Sequence, residues 1–285
     1  MTGSDGLLRL RLAMTALSIM DPHPHKLVLP SQTLEGAWWG PGPDAAPTLI
    51  LLHEGLGCVG LWNDFPAKLA EATGCGVFAY SRAGYGKSSP IPLPRPLSYM
   101  HDEARETMPL ILDAIGFREG ALIGHSDGAS IALIHAGAIA DPRVKAVALM
   151  APHVFTEELG LASIRQAQEA YEHGDLKRKL ARWHDHVDCA FCGWNGAWLD
   201  PGFRQWNLEE FLPDVRVPML VIQGEADQYG TMDQVRAIER GSGGPVQTVI
   251  IPGIGHSPYR EAPAATLSAL AAFVGKLENV KNTAR

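Results

Sequence analysis

Short apolar runs alternate with longer amphipathic segments along most of this chain. Thr48-Leu-Ile-Leu-Leu52 is apolar at nearly every position, as a parallel strand covered on both faces requires. The runs at 77–80, 121–123, 144–150, 218–223 and 246–251 have the same character. Between them, apolar residues recur at helical spacing over 62–72, 99–115, 129–139, 232–240 and 262–277. This alternation predicts an α/β fold, with a mostly parallel central sheet and helices on both faces. The strand–helix–strand pair leading to Val144 is expected to cross over right-handed.

From His153 to Pro213 the rhythm breaks, and no strand pattern occurs. Helices are predicted at 163–173 and 176–184, beside a stretch rich in tryptophan and phenylalanine. The expectation is a helical cap at 153–213, inserted between core segments 27–152 and 214–285. Ligands bind where such insertions cover the C-terminal ends of parallel strands. Trp194 and Trp198 are the pocket candidates, and most of the other aromatic residues are expected to pack the cap. Residues 1–26 read as an N-terminal extension. Arg9 and Arg11 precede an apolar run ending at Met20, the order of parts in a signal peptide. The run is short, however, and no small-residue cleavage site precedes Asp21. Met20 is an alternative start. No run is long and apolar enough to cross a bilayer.

The length of 285 residues suits one large domain with an insertion. A net charge of −7 argues against nucleic acid or an anionic membrane as the partner. The four cysteines form no dense framework, which points to free thiols and a cytoplasmic location. Cys189 and Cys192 have redox or zinc spacing, with His184 and His186 upstream. No second cysteine pair exists, so no metal and no cofactor are expected. His23 and His25 flank Pro24 and read as solvated.

The strongest motif is Gly124-His125-Ser126-Asp127-Gly128, of the form G-x-S-x-G. A buried strand precedes it and a helix follows it. A serine on such a sharp turn presents its hydroxyl above a helix N-terminus, whose free N–H groups favour developing negative charge. A serine hydroxyl needs a base, and the base needs an orienting acid. His256 follows the last predicted strand and comes after every acid candidate of the preceding loop. That loop offers Asp227, with Glu225 as the fallback.

These features together resemble the α/β-hydrolase superfamily from about Leu27 to Leu277. The resemblance rests on the strand ending in His53, on Ser81-Arg82-Ala-Gly84-Tyr-Gly86-Lys-Ser88, on Gly124 to Gly128, on Gly224-Glu-Ala-Asp227 and on Gly255-His256. It implies the α/β-hydrolase fold, with an eight-stranded sheet and a helical cap after the sixth strand. It also implies a Ser126–Asp227–His256 triad and an oxyanion hole from the backbone N–H groups of Asp127 and Gly55. The partner would be a small-molecule acyl substrate, a carboxylic ester first. Lactones, thioesters and carbon–carbon bonds beside a ketone remain open, as do acyl transfer and a slow-turnover receptor role. Two positions depart from the family pattern. Glu54 stands where many relatives have glycine, and Ser81 where many have aspartate. A carboxylate beside an oxyanion hole opposes the charge formed there. Glu54 is therefore expected to pair with Arg82, with a place in the substrate pocket as the alternative.

Overall fold

A computed structural model describes residues 21–283. Its sheet has eight strands: β1 (His23–Val28), β2 (Thr33–Trp39), β3 (Thr48–Leu52), β4 (Gly76–Tyr80), β5 (Gly120–His125), β6 (Val144–Met150), β7 (Met219–Gly224) and β8 (Val246–Ile251). Their order is β1-β2-β4-β3-β5-β6-β7-β8. β2 runs antiparallel to β1 and β4, and all the other pairings are parallel. The chain has the α/β-hydrolase architecture.

The continuous apolar runs are explained by burial on both faces. Ile50, Leu52, Phe78, Leu122 and Val147 point into one core cluster. Their chain neighbours Leu49, Leu51, Val77, Ala121 and Ala146 point into the other. Strand side chains alternate between faces, so a run buried on both has no polar positions to spare. Each aliphatic side chain fully buried in this way contributes about 1.5–3 kcal/mol. Helices Phe65–Thr73 and Pro263–Thr283 cover the second face, through Phe65, Leu69, Leu270 and Phe273. The helical stretch made of Tyr99–Asp102, Glu103–Thr107 and Met108–Ala114 lies on the first. So does the helix Asp127–Ala138, which is buried all round.

Two elements differ from the sequence-based expectation. β1 begins at His23, so a boundary at residue 26 falls inside a strand. His23 pairs with Trp38 and His25 with Gly36, although both histidine side chains stay exposed. Pro24 fits because β1 is the sheet edge, where a missing N–H is tolerated. The other difference is the helix Val187–Leu199 in the aromatic stretch. Its Phe191, Trp194 and Trp198 are buried at spacings of three and four, one face of a helix. With Glu158–Glu172 and Leu176–Leu180, this helix lies in the segment between β6 and β7. The apolar run at 12–20 lies outside the described residues.

Candidate active site

β5 ends at His125 and the next helix begins at Asp127, so Ser126 alone makes the turn. Its backbone sits at φ 54°, ψ −119°, a region L-residues avoid. Such a conformation persists only where the surroundings enforce it. Here they do. A Cβ at Gly124 would collide with the backbone of Gly128, and one at Gly128 with the carbonyl of Leu52. Both glycines of the motif are therefore steric requirements of the turn.

The other two members of the expected triad arrive from loops after β7 and β8. His256 Nε2 lies 2.9 Å from Ser126 Oγ. On the other side of the ring, Nδ1 lies 2.9 Å and 2.8 Å from the two carboxylate oxygens of Asp227. A carboxylate only accepts, so Nδ1 carries a proton, and in the neutral ring Nε2 is then the acceptor facing the serine hydroxyl. Asp227 also accepts from Gln223 Nε2 at 2.8 Å and from the Tyr229 N–H at 2.8 Å. Burial pushes its pKa up, but the His256 hydrogen bond and charge and the Tyr229 N–H outweigh burial, and the net shift is down. Glu225 is exposed and does not reach the ring. The loop carrying His256 is clamped by Glu261, which accepts from the N–H groups of Gly255 (2.7 Å) and Ser257 (2.9 Å).

A cavity of about 280 Å³ opens over Ser126. Gly55, Asp127, Trp194 and Trp198 all line it, together with Glu54, His153, Ile164 and Tyr229. Asp127 is the first residue of its helix, so its N–H has no partner within the helix. Trp194 packs its indole directly on Gly55, leaving no room for a Cβ there. Trp198 serves the site in two ways. It forms cavity wall, and its Nε1–H donates to Asp127 Oδ1 at 3.2 Å and to the Tyr99 hydroxyl at 3.1 Å. Tyr99 in turn donates to Asp127 Oδ2 at 2.5 Å.

The expected pairing of the Glu54 carboxylate with Arg82 does not form. Arg82 is buried and donates instead to the backbone carbonyls of His53 and Glu54, and its guanidinium lies 3.9 Å from Asp127 Oδ2. β3 and β4 are indeed neighbours, but the main chain of the β3 loop meets Arg82 while the Glu54 side chain faces β5 and the loop after β8. There its oxygens lie 3.4 Å from His125 Nδ1 and 3.4 Å from an Arg260 nitrogen. His125 Nε2 lies 2.7 Å from the carbonyl of His256. Both ring nitrogens of His125 thus face acceptors, and the ring bridges the loop after β3 to the loop carrying His256. Burial raises the pKa of Glu54, but the hydrogen bond and charge of His125 and the charge of Arg260 outweigh it, leaving the carboxyl far below its usual range. Glu54 also lines the cavity.

Ser81, the other departure, donates to Glu35 Oε2 at 2.7 Å and accepts from the Val59 N–H at 2.9 Å. Glu35 on β2 thus places a carboxylate beside Ser81, where it also accepts from the Lys87 N–H at 3.0 Å. His125, His153, Arg260 and Glu261 were not singled out in the sequence. For His125 a signal existed, since it occupies the variable position before the serine. Cys189 is buried and its thiol exchanges hydrogen bonds with the main chain of Ile91, while Cys192 is exposed.

A G-x-S-x-G turn at the C-terminal edge of such a sheet, with a histidine and a carboxylate brought to it by later loops, defines the class of α/β hydrolases. The model of the alpha/beta hydrolase family matches residues 49–269, and the chain belongs to that family. It is a hydrolase by that membership. No curated protein matches the chain. Among solved structures it is similar to a bacterial membrane phospholipase A, at 21% identity over 96% of this chain and 92% of that one, with a TM-score of 0.74. It is similar to a proline iminopeptidase of Mycobacterium smegmatis, at 18% identity over 91% and 100%, with a TM-score of 0.74. It is also similar to an enol-lactonase of Burkholderia xenovorans LB400, at 18% identity over 88% and 100%, with a TM-score of 0.69. At these identities the likeness is one of fold.

Proposed function

We propose that the chain is a serine hydrolase that cleaves a small-to-medium carboxylic ester through an acyl-enzyme, with Ser126 as nucleophile, His256 as base and Asp227 as the acid that orients it. One observation carries this reading: the His256 ring spans the gap between Ser126 Oγ and the Asp227 carboxylate with hydrogen-bond distances on both sides. His256 Nε2 takes the hydroxyl proton as Ser126 Oγ bonds to the carbonyl carbon. The oxyanion rests on the N–H groups of Asp127 and Gly55. His256 then gives its proton to the leaving alcohol, and water releases the acid by the same route in reverse. No lysine or arginine lines the cavity among the described residues, which favours a substrate that is neutral at the pocket. Lactones and thioesters are served by the same groups. The four free thiols suit a reducing compartment, and the cytoplasm is the location proposed. No described helix is long and apolar enough to cross a membrane.

The reading is tested by steady-state hydrolysis of esters, lactones and thioesters by the wild type and Ser126→Ala. Replacing the serine is expected to lower kcat by about 10⁴–10⁶ while thermal stability holds. A variant that keeps a tenth of the wild-type rate sinks the assignment.

A further inference from the structure

His153 lies just past the end of β6, where the chain enters the segment between β6 and β7. Its side chain is 5% exposed and lines the cavity over Ser126. Its position is fixed from several sides. The His153 carbonyl accepts from Ser130 Oγ at 2.6 Å, and the next N–H, of Val154, donates to Gln234 Oε1 at 2.7 Å. The ring meets Trp198 edge-on at 5.3 Å and lies 5.5 Å from the ring of His256. One edge of the ring rests near Gly230. Trp198 is itself tied to Asp127 and Tyr99, so the surface against which the ring packs cannot easily turn. Despite this, neither ring nitrogen has a hydrogen-bond partner among the described residues. Buried imidazoles ordinarily find one, as His53, His125 and His135 do here.

We infer that His153 is a specificity-determining residue, whose ring hydrogen-bonds a hydroxyl on the alcohol portion of the ester, close to the scissile bond. The inference rests on the ester-hydrolase reading above and adds the class of ester. The alcohol side follows from the neighbourhood. The leaving oxygen must reach His256 Nε2, and the His153 ring stands beside His256. A hydroxyl matches the ring because a neutral imidazole offers one donor and one acceptor, and a hydroxyl can meet either. The ring stays neutral through the usual pH range: burial first, then the neighbouring His256 and His125, lower its pKa to about 3, against a smaller opposing effect of Asp227. An alcohol without the hydroxyl leaves a buried polar group unpaired, which is the basis on which such sites reject their analogues.

The test compares kcat/KM for 2-hydroxyethyl acetate and propyl acetate, which have the same number of heavy atoms. A second pair, propyl 3-hydroxypropanoate and propyl butanoate, places the hydroxyl on the acyl side. The wild type is expected to prefer the hydroxylated alcohol, and His153→Leu to lower that preference about tenfold. His153→Gln, which keeps hydrogen-bonding capacity, is expected to retain most of it. Thermal melting and fluorophosphonate labelling of each variant show whether it is folded and competent. Equal preference in the wild type and both variants overturns the inference while leaving ester hydrolysis in place. So does a preference confined to the acyl-side pair. Absence of all ester cleavage and labelling by the wild type is a separate result, which overturns the ester-hydrolase reading and this inference with it.

Discussion

At the scale of single residues, the buried histidines carry a consequence for stability. An unperturbed histidine titrates near 6.5, whereas His153 in the folded chain is lowered to about 3. Between those values the unfolded chain binds a proton that the folded chain does not. Stability therefore falls as pH drops through that window, by about 1.4 kcal/mol per pH unit for one such group. His53 is shifted the same way, by burial and then by Arg82. Chemical denaturation at pH 6 and pH 4 checks this. His153→Phe is expected to shrink the loss between the two by about 2 kcal/mol. An unchanged loss contradicts the buried, neutral ring. Glu54 gives a second prediction. Its carboxylate answers His125 and Arg260, while the Arg82 guanidinium meets the main-chain carbonyls of His53 and Glu54. Glu54→Gln is expected to cost about 1–3 kcal/mol of stability. In double-mutant cycles it should couple more strongly to Arg260→Ala than to Arg82→Ala. The reverse order contradicts the pairing seen here.

At the scale of elements, the turn around Ser126 was legible because steric necessity wrote it into the sequence. Only glycine fits at 124 and 128, so the motif is a record of the backbone. The strands β3 to β7 were legible for a similar reason, since burial on both faces leaves continuous apolar runs. β1 and the helix Val187–Leu199 were not. β1 begins with histidines around a proline and is held by the ladder to β2 rather than by apolar content. The helix contains Gly193 and Gly196, which lower helix propensity, and its stability comes from aromatic packing. The Glu54 pairing was illegible for a different reason. Adjacent strands bring two loops together, but they do not say whether side chain or main chain meets the guanidinium. The helix Val187–Leu199 also holds Asp127, the residue after Ser126, through the Trp198 hydrogen bond. Trp198→Phe keeps a ring in place and removes the donor. It is expected to lower stability by about 1 kcal/mol and to reduce kcat/KM for every ester together. Loss confined to bulky esters indicates that Trp198 acts as pocket wall alone.

At the scale of the whole molecule, the sheet order is what makes a site from distant residues. Ser126, Asp227 and His256 follow β5, β7 and β8, and parallel pairing puts the three loops at one edge. The segment between β6 and β7 adds the tryptophans that line the cavity, and the β3 loop adds Gly55. Structures at 21% identity or less share this frame, so the frame is set by topology and the chemistry by a few side chains on it. Whether those side chains act as an activated nucleophile is decided by one measurement: mass spectrometry of the intact and digested protein after reaction with a fluorophosphonate. A single adduct is expected, on the peptide carrying Ser126, formed by the wild type and absent from Ser126→Ala. Its formation should slow strongly in His256→Ala. No adduct, or an adduct on another residue with Ser126 unmodified, contradicts the account.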